Sequence, residues 1–150
     1  MRILRTTFCF LLAVFVFLFV YSQNNRLTNE RGQLLWQYNQ TVVLDSEKPN
    51  TLVVHFVFIN GNVHTAISLR QELYDCAIEW LETADIKVEK EDHVESLTAK
   101  LSPNQSIIVK YSVTVKPVNN ALVLEKSALL IMNDSFEVRK EIIPDQHFIP

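Results

Sequence analysis

Residues 106–116 place an apolar side chain at every second position: Ile107, Val109, Tyr111, Val113 and Val115. Between them stand Ser106, Ile108, Lys110, Ser112, Thr114 and Lys116. A period of two is the period of a pleated strand, so the first set faces a core and most of the second faces water. Burying that face contributes about 1.5–3 kcal/mol per large side chain. Pro117 ends the strand, because it has no N–H to give a ladder.

Residues 52–60 follow a different rule. Leu52, Val53, Val54, Phe56, Val57, Phe58 and Ile59 are apolar on both parities, interrupted only by His55. Such a strand is expected at the centre of a sheet, or covered on both sides. Asn60-Gly61-Asn62 then signals a turn. Residues 65–74 read as the next strand, with Ile67, Leu69 and Leu73 on one face and Ala66, Ser68, Arg70 and Glu72 on the other. Residues 94–101, 122–132 and 136–143 read as further strands, the last a short edge strand ended by Pro144. An early strand contains Asn39, while residues 75–93 show no clear pattern. About seven short strands at regular spacing, without a helical period, predict an all-β immunoglobulin-like antiparallel β-sandwich.

The amino terminus reads as an address. Arg2 and Arg5 precede an apolar run over residues 8–20, and the small Ser22 follows. This is the order of a secretory signal peptide, residues 1–22, with the cut expected between Ser22 and Gln23. An uncleaved membrane anchor is the competing reading, although the run is short of the roughly 20 apolar residues a span needs. Residues 23–33 are polar and are expected to be a flexible entry; residues 34–150 form the domain. No later stretch is apolar and long enough to span a bilayer.

Without Arg2 and Arg5, the chain's 14 basic residues fall to 12 against 17 acidic, a net charge near −5. That balance argues against a nucleic-acid partner, which needs a basic face. Cleavage also removes Cys9 and leaves Cys76 alone, either buried as a small apolar group or paired with another chain.

Residues that could carry chemistry are sparse. His55, His64, His93 and His147 show no metal-ligand spacing. His55, inside the most apolar strand, reads as a satisfied core or interface histidine. Two glycines in the whole chain leave no phosphate-cradling loop and no nucleophile elbow. Glu89, Glu91, Asp92 and Glu95 could offer oxygens to calcium, but they lack the Asp-x-Asp-x-Asp-Gly pattern and surround Lys90, so a solvated loop is the expectation. No catalytic, cofactor or metal site is expected. Three Asn-x-Ser/Thr sequons begin at Asn39, Asn104 and Asn133; the last two fall in expected turns, where a glycan reaches water.

The order of segments resembles the translocon-associated protein beta (signal sequence receptor beta) family over about residues 34–132. Leu34-Leu35-Trp36-Gln37-Tyr38 looks like that family's lead-in. Residues 52–61 resemble its apolar strand ending in Asn and Gly, and Ala66-Ile67-Ser68-Leu69 the strand that follows. Leu101-Ser102-Pro103 is similar to its proline turn, Thr114-Val115-Lys116-Pro117-Val118 to its valine-rich strand end, and Ser127-Ala128-Leu129-Leu130-Ile131 to its Ser-Ala strand. The resemblance implies a non-catalytic subunit in the endoplasmic-reticulum lumen and membrane, assisting nascent chains. Its implied partners are the other translocon-associated subunits and the protein-conducting channel. The family ends in a membrane helix that this sequence, closing at Pro150, does not show; membrane association is then expected through partners or through a missing C-terminal helix. The competing expectations are a secreted or cell-envelope adhesion module and, more remotely, a small secreted hydrolase or lipid-binding domain.

Overall fold

A computed structural model describes residues 25–72, 77–82 and 86–143, with the backbone alone over residues 77–82. The expected signal peptide with its Ser22–Gln23 cut, Cys76 and His147 lie outside the described residues. Ten strands follow in order: β1 (Arg26–Thr28), β2 (Leu34–Leu44), β3 (Thr51–Asn60), β4 (Thr65–Glu72), β5 (Ala77–Glu82), β6 (Lys87–Glu91), β7 (Val94–Leu101), β8 (Ser106–Thr114), β9 (Ser127–Met132) and β10 (Glu137–Ile142). Among the described residues there is no helix, and none long and apolar enough to cross a membrane.

Every strand pair is antiparallel, and the strands form two five-stranded sheets, β1-β2-β3-β8-β5 and β10-β9-β4-β7-β6. The topology is that of an immunoglobulin-like sandwich. Strands β2, β3, β8 and β5 take the places of A, B, E and D; β4, β9 and β10 take those of C, F and G, in chain order. The hairpin β6–β7 extends the second sheet beside β4, and β1 extends the first beside β2. Ten strands thus replace the seven of the sequence reading. The added ones are β1, β5 and β6. Part of the expected flexible entry is therefore strand β1.

The core lies between the sheets. From β3 it takes Leu52, Val54, Phe56 and Phe58, all without exposed surface, and from β8 Ile107, Val109, Tyr111 and Val113, with Val115 just beyond it. Ile67 and Leu69 of β4 meet Ala99 and Leu97 of β7 on one side and Ile131 and Leu129 of β9 on the other. Trp36 stacks on Tyr38, and Tyr38 on Phe56, with centroids 5.9 and 6.1 Å apart.

One strand is shorter than its sequence suggests. Leu122 makes only an isolated bridge, and residues 123–126 precede β9 outside any strand, although Leu122 and Leu124 are buried. Their backbone is held by a side chain instead: Gln71 Nε2 donates to Glu125 O at 2.9 Å and to Lys126 O at 3.3 Å. The strand expected to run to Lys116 ends at Thr114; one further bond, from the Val115 N–H to Asn50 O at 2.9 Å, continues the register before Asn50 turns the partner chain away at φ 55°.

Candidate functional site

Two regions gather side chains that a partner could read: one end of the sandwich, and the outer face of the first sheet. The end is built from the loops β1–β2, β3–β4, β7–β8 and β9–β10. Asn60, 2% exposed, ties two of these loops, β3–β4 and β7–β8, to the start of β4. Its backbone N–H donates to Gln105 O at 3.1 Å. Its Nδ2 donates to Val63 O (2.6 Å) and Ser102 O (2.9 Å), and its Oδ1 accepts from Thr65 Oγ1 (2.7 Å). Gly61 follows because nothing larger fits. A Cβ there would collide with the Leu34 carbonyl and lie 2.8 Å from Leu35 O, the oxygen to which the Gly61 N–H donates. The Gly61 carbonyl in turn accepts from the Asn104 N–H at 2.8 Å.

Two shallow depressions flank this knot. One, of about 460 Å³, is lined in part by Asn29, Gln33, Leu35, Asn62 and Asn104. The other, of about 410 Å³, is lined in part by His64, Lys100, Ser102, Asn133 and Asp134. His64, Ser102 and Asp134 share the second depression, and among the described residues no hydrogen bond joins them.

The sequons divide between the two regions. Asn104 is exposed in the β7–β8 turn, in left-handed backbone at φ 61°. Asn133 sits in the β9–β10 turn, where its Oδ1 accepts from the Ser135 N–H (2.7 Å) and the Phe136 N–H (2.9 Å). Asn39 is elsewhere. It lies exposed in β2, opposite Val57 of β3.

That pairing places Asn39 on the outer face of the first sheet, beside Thr41 and Val43 of β2. Across it run Val53, His55, Val57 and Ile59 of β3, and Ser106, Ile108, Lys110 and Ser112 of β8. Val57 pairs with Ile108, which is 62% exposed; Val43 is 44% exposed and Ile59 36%. The two-sided apolar strand is therefore central, as its composition implies. Its second face is only part covered, with His55 and Val57 half-buried. His55 lies between Thr41 and Lys110 on this face, not in the core.

The carboxylates of the β6–β7 hairpin do not converge on one point. Glu89 and Glu91 point to one face of the β6–β7 hairpin and Glu95 to the other, because Glu89 pairs with Ser96, Glu91 with Val94, and Lys90 with Glu95. Glu89 is bridged to Lys87, and the buried Glu95 to Lys90 at 3.4 Å. Among the described residues no group of three or more His, Cys, Asp or Glu could hold a metal ion. In the exposed β2–β3 loop, the N–H groups of Glu47 and Lys48 hold the Asp45 carboxyl below its ordinary value. Burial pushes the Tyr111 hydroxyl well above its own. Sequence reasoning read Asn60 only as a turn residue and missed Gln71. Both act on carbonyls more than 40 residues away, and no local pattern reports that.

No family model matches the chain, and no curated protein matches it. Among solved structures, an exo β-N-acetylglucosaminidase of family GH20 from Vibrio harveyi is similar with a TM-score of 0.44 and 13% identity. The match covers 73% of this chain, which spans only 18% of that one. The chitin-binding domain of Chi18aC from Streptomyces coelicolor is similar with a TM-score of 0.41 and 9% identity, over 61% of this chain and 89% of that domain. Likeness at this level bears on no property of the present chain.

Proposed function

We propose that the chain is a non-catalytic lumenal subunit of the translocon-associated complex. In this reading the sandwich is a recognition module. It binds other subunits beside the protein-conducting channel and assists nascent proteins entering the endoplasmic reticulum. The supporting observation is the outer face of the first sheet, where the exposed Ile108, Ile59 and Val43 and the half-buried Val57 stand among polar neighbours. An apolar stripe with a polar surround suits protein recognition. The order of motifs over residues 34–132 supplies the choice of complex. Glycans on Asn39, Asn104 and Asn133 would accompany passage through the lumen.

The test is co-purification of the native chain with the channel and the ribosome from solubilised microsomes. Recovery with both is the expected result. Recovery free of both, from a source in which the complex stays intact, would remove the proposal.

A further inference from the structure

The two sheets do not treat their edges alike. Strand β10, at one edge of the second sheet, reads Glu-Val-Arg-Lys-Glu-Ile, and β6, at the other, reads Lys-Val-Glu-Lys-Glu. Charges on an edge discourage another strand from joining it. Two copies of β10 paired antiparallel about Arg139 would set that guanidinium against its twin and Glu137 against Glu141. A pair of β6 strands centred on Glu89 would oppose two carboxylates.

Strand β2 lacks this protection. β1 covers it only at residues 34–37, with one further bond from the Tyr38 N–H to Asn25 O. Residues 39–44 read Asn-Gln-Thr-Val-Val-Leu, without charge, proline or glycine. Backbone groups alternate along a strand, and Tyr38 directs its N–H to the β1 side. Gln40, Val42 and Leu44 therefore present their N–H and C=O groups in the sheet plane, with no strand beside them among the described residues.

We propose that this edge pairs antiparallel with the same edge of a second copy of the chain, joining two first sheets into one continuous sheet. The edge is complementary to itself. A two-fold axis perpendicular to the sheet sets even-numbered residues against even-numbered ones. Its centre falls on Thr41, pairing Gln40 with Val42, or on Val42, pairing Gln40 with Leu44. Either register satisfies open donors with open acceptors and brings no like charges together. Asn39 points out of the sheet, so a glycan there leaves the edge accessible. The inference goes beyond the proposed function and does not depend on it.

Sedimentation velocity of the glycosylated chain across a concentration series tests the pairing, with hydrogen exchange at low and high concentration. The expected result is a monomer–dimer equilibrium in which the Gln40, Val42 and Leu44 amides gain protection as concentration rises. Val43→Lys, on an exposed site that keeps the Asn39 sequon, should weaken the dimer at least about tenfold with little change in melting temperature. Val42→Pro removes an N–H that faces the open edge and not the β3 ladder, and should abolish the dimer. If that variant does not fold, Val43→Lys with the exchange data decides. A monomer at every concentration up to about 100 μM overturns the proposal, an interface this small being expected to bind in the micromolar range. So does a dimer that survives Val43→Lys. Protection of the three amides that ignores concentration also overturns it, since another segment of the same chain would then cover the edge.

Discussion

The Tyr111 hydroxyl of β8 donates across the sandwich to Gln71 Oε1 of β4, at 3.2 Å, and so ties the two sheets together inside the core. Gln71 passes the connection on through its Nε2 to the carbonyls of Glu125 and Lys126. One buried amide thereby serves both sheets and the segment between β8 and β9. Replacing Tyr111 by Phe leaves Gln71 Oε1 unpaired and should cost about 1–2 kcal/mol at neutral pH.

The same burial makes stability sensitive to alkali. Tyr111 has its pKa raised in the folded chain above the ordinary 10.0. Below that value the hydroxyl is neutral both folded and unfolded, and the contribution is complete. Above it the unfolded chain ionises while the folded chain resists. Stability is therefore lost as pH rises past about 10, by up to about 1.4 kcal/mol per pH unit. Urea unfolding between pH 8 and 11 should show this slope in the wild type and a shallower one in Tyr111→Phe. Equal slopes would mean that the hydroxyl ionises as freely folded as unfolded.

Gly61 is held by close approach. A methyl group there would enter the Leu34 carbonyl, which is backbone and part of β2. Gly61→Ala should destabilise the fold by about 3 kcal/mol. Gly32→Ala makes the informative control. That glycine has open space around it but a φ of 75°, so its cost should be only about 1–2 kcal/mol. Thermal unfolding of the two variants side by side would reveal whether the close approach or the backbone angle matters more.

Adjacent residues of β8 separate stability from recognition. Ile107 is in the core and Ile108 is 62% exposed on the outer face. Ile107→Ala should cost about 2–3 kcal/mol in denaturant unfolding, whereas Ile108→Glu should change it by less than about 0.5 kcal/mol. If the outer face is the docking surface, Ile108→Glu should nonetheless reduce co-purification with the channel. Undiminished recovery would move the docking surface elsewhere.

These contrasts also mark how far the sequence was legible. The alternation of Ile107, Val109, Tyr111 and Val113 announced a strand and its buried face, and the two-sided run from Leu52 announced a central strand. Asn60 and Gly61 announced the turn between β3 and β4. Strand β6 was hidden because an edge strand pairs on one side only, and Lys87 to Glu91 are exposed enough to read as a loop. The extent of β9 was misjudged because Leu122 and Leu124 are buried outside the strand, with the backbone at Glu125 and Lys126 held by Gln71 from β4. Periodicity reports which side chains are buried; it does not report what binds the backbone. The outer face was half legible. Ile108 is the one apolar residue on the polar phase of its strand, but its pairing with Val57 needed the register.

The Asn133 sequon separates a side chain's structural role from its modification. Asn133 Oδ1 accepts two backbone N–H groups within the β9–β10 turn, which leaves the Nδ2 to carry a sugar. Asn133→Gln abolishes the sequon and also moves the acceptor one methylene away from the Ser135 and Phe136 amides. Ser135→Ala abolishes the sequon equally but keeps the Asn133 side chain and the Ser135 N–H. If the site is occupied, both variants should run faster than wild type on a gel by one glycan and match it after enzymatic glycan removal. After that removal Asn133→Gln should melt lower than Ser135→Ala, by the equivalent of about 1 kcal/mol, because only it loses the turn's hydrogen bonds. Equal melting temperatures would show that the turn holds without its asparagine. An unshifted gel for both variants would show that the glycan is absent.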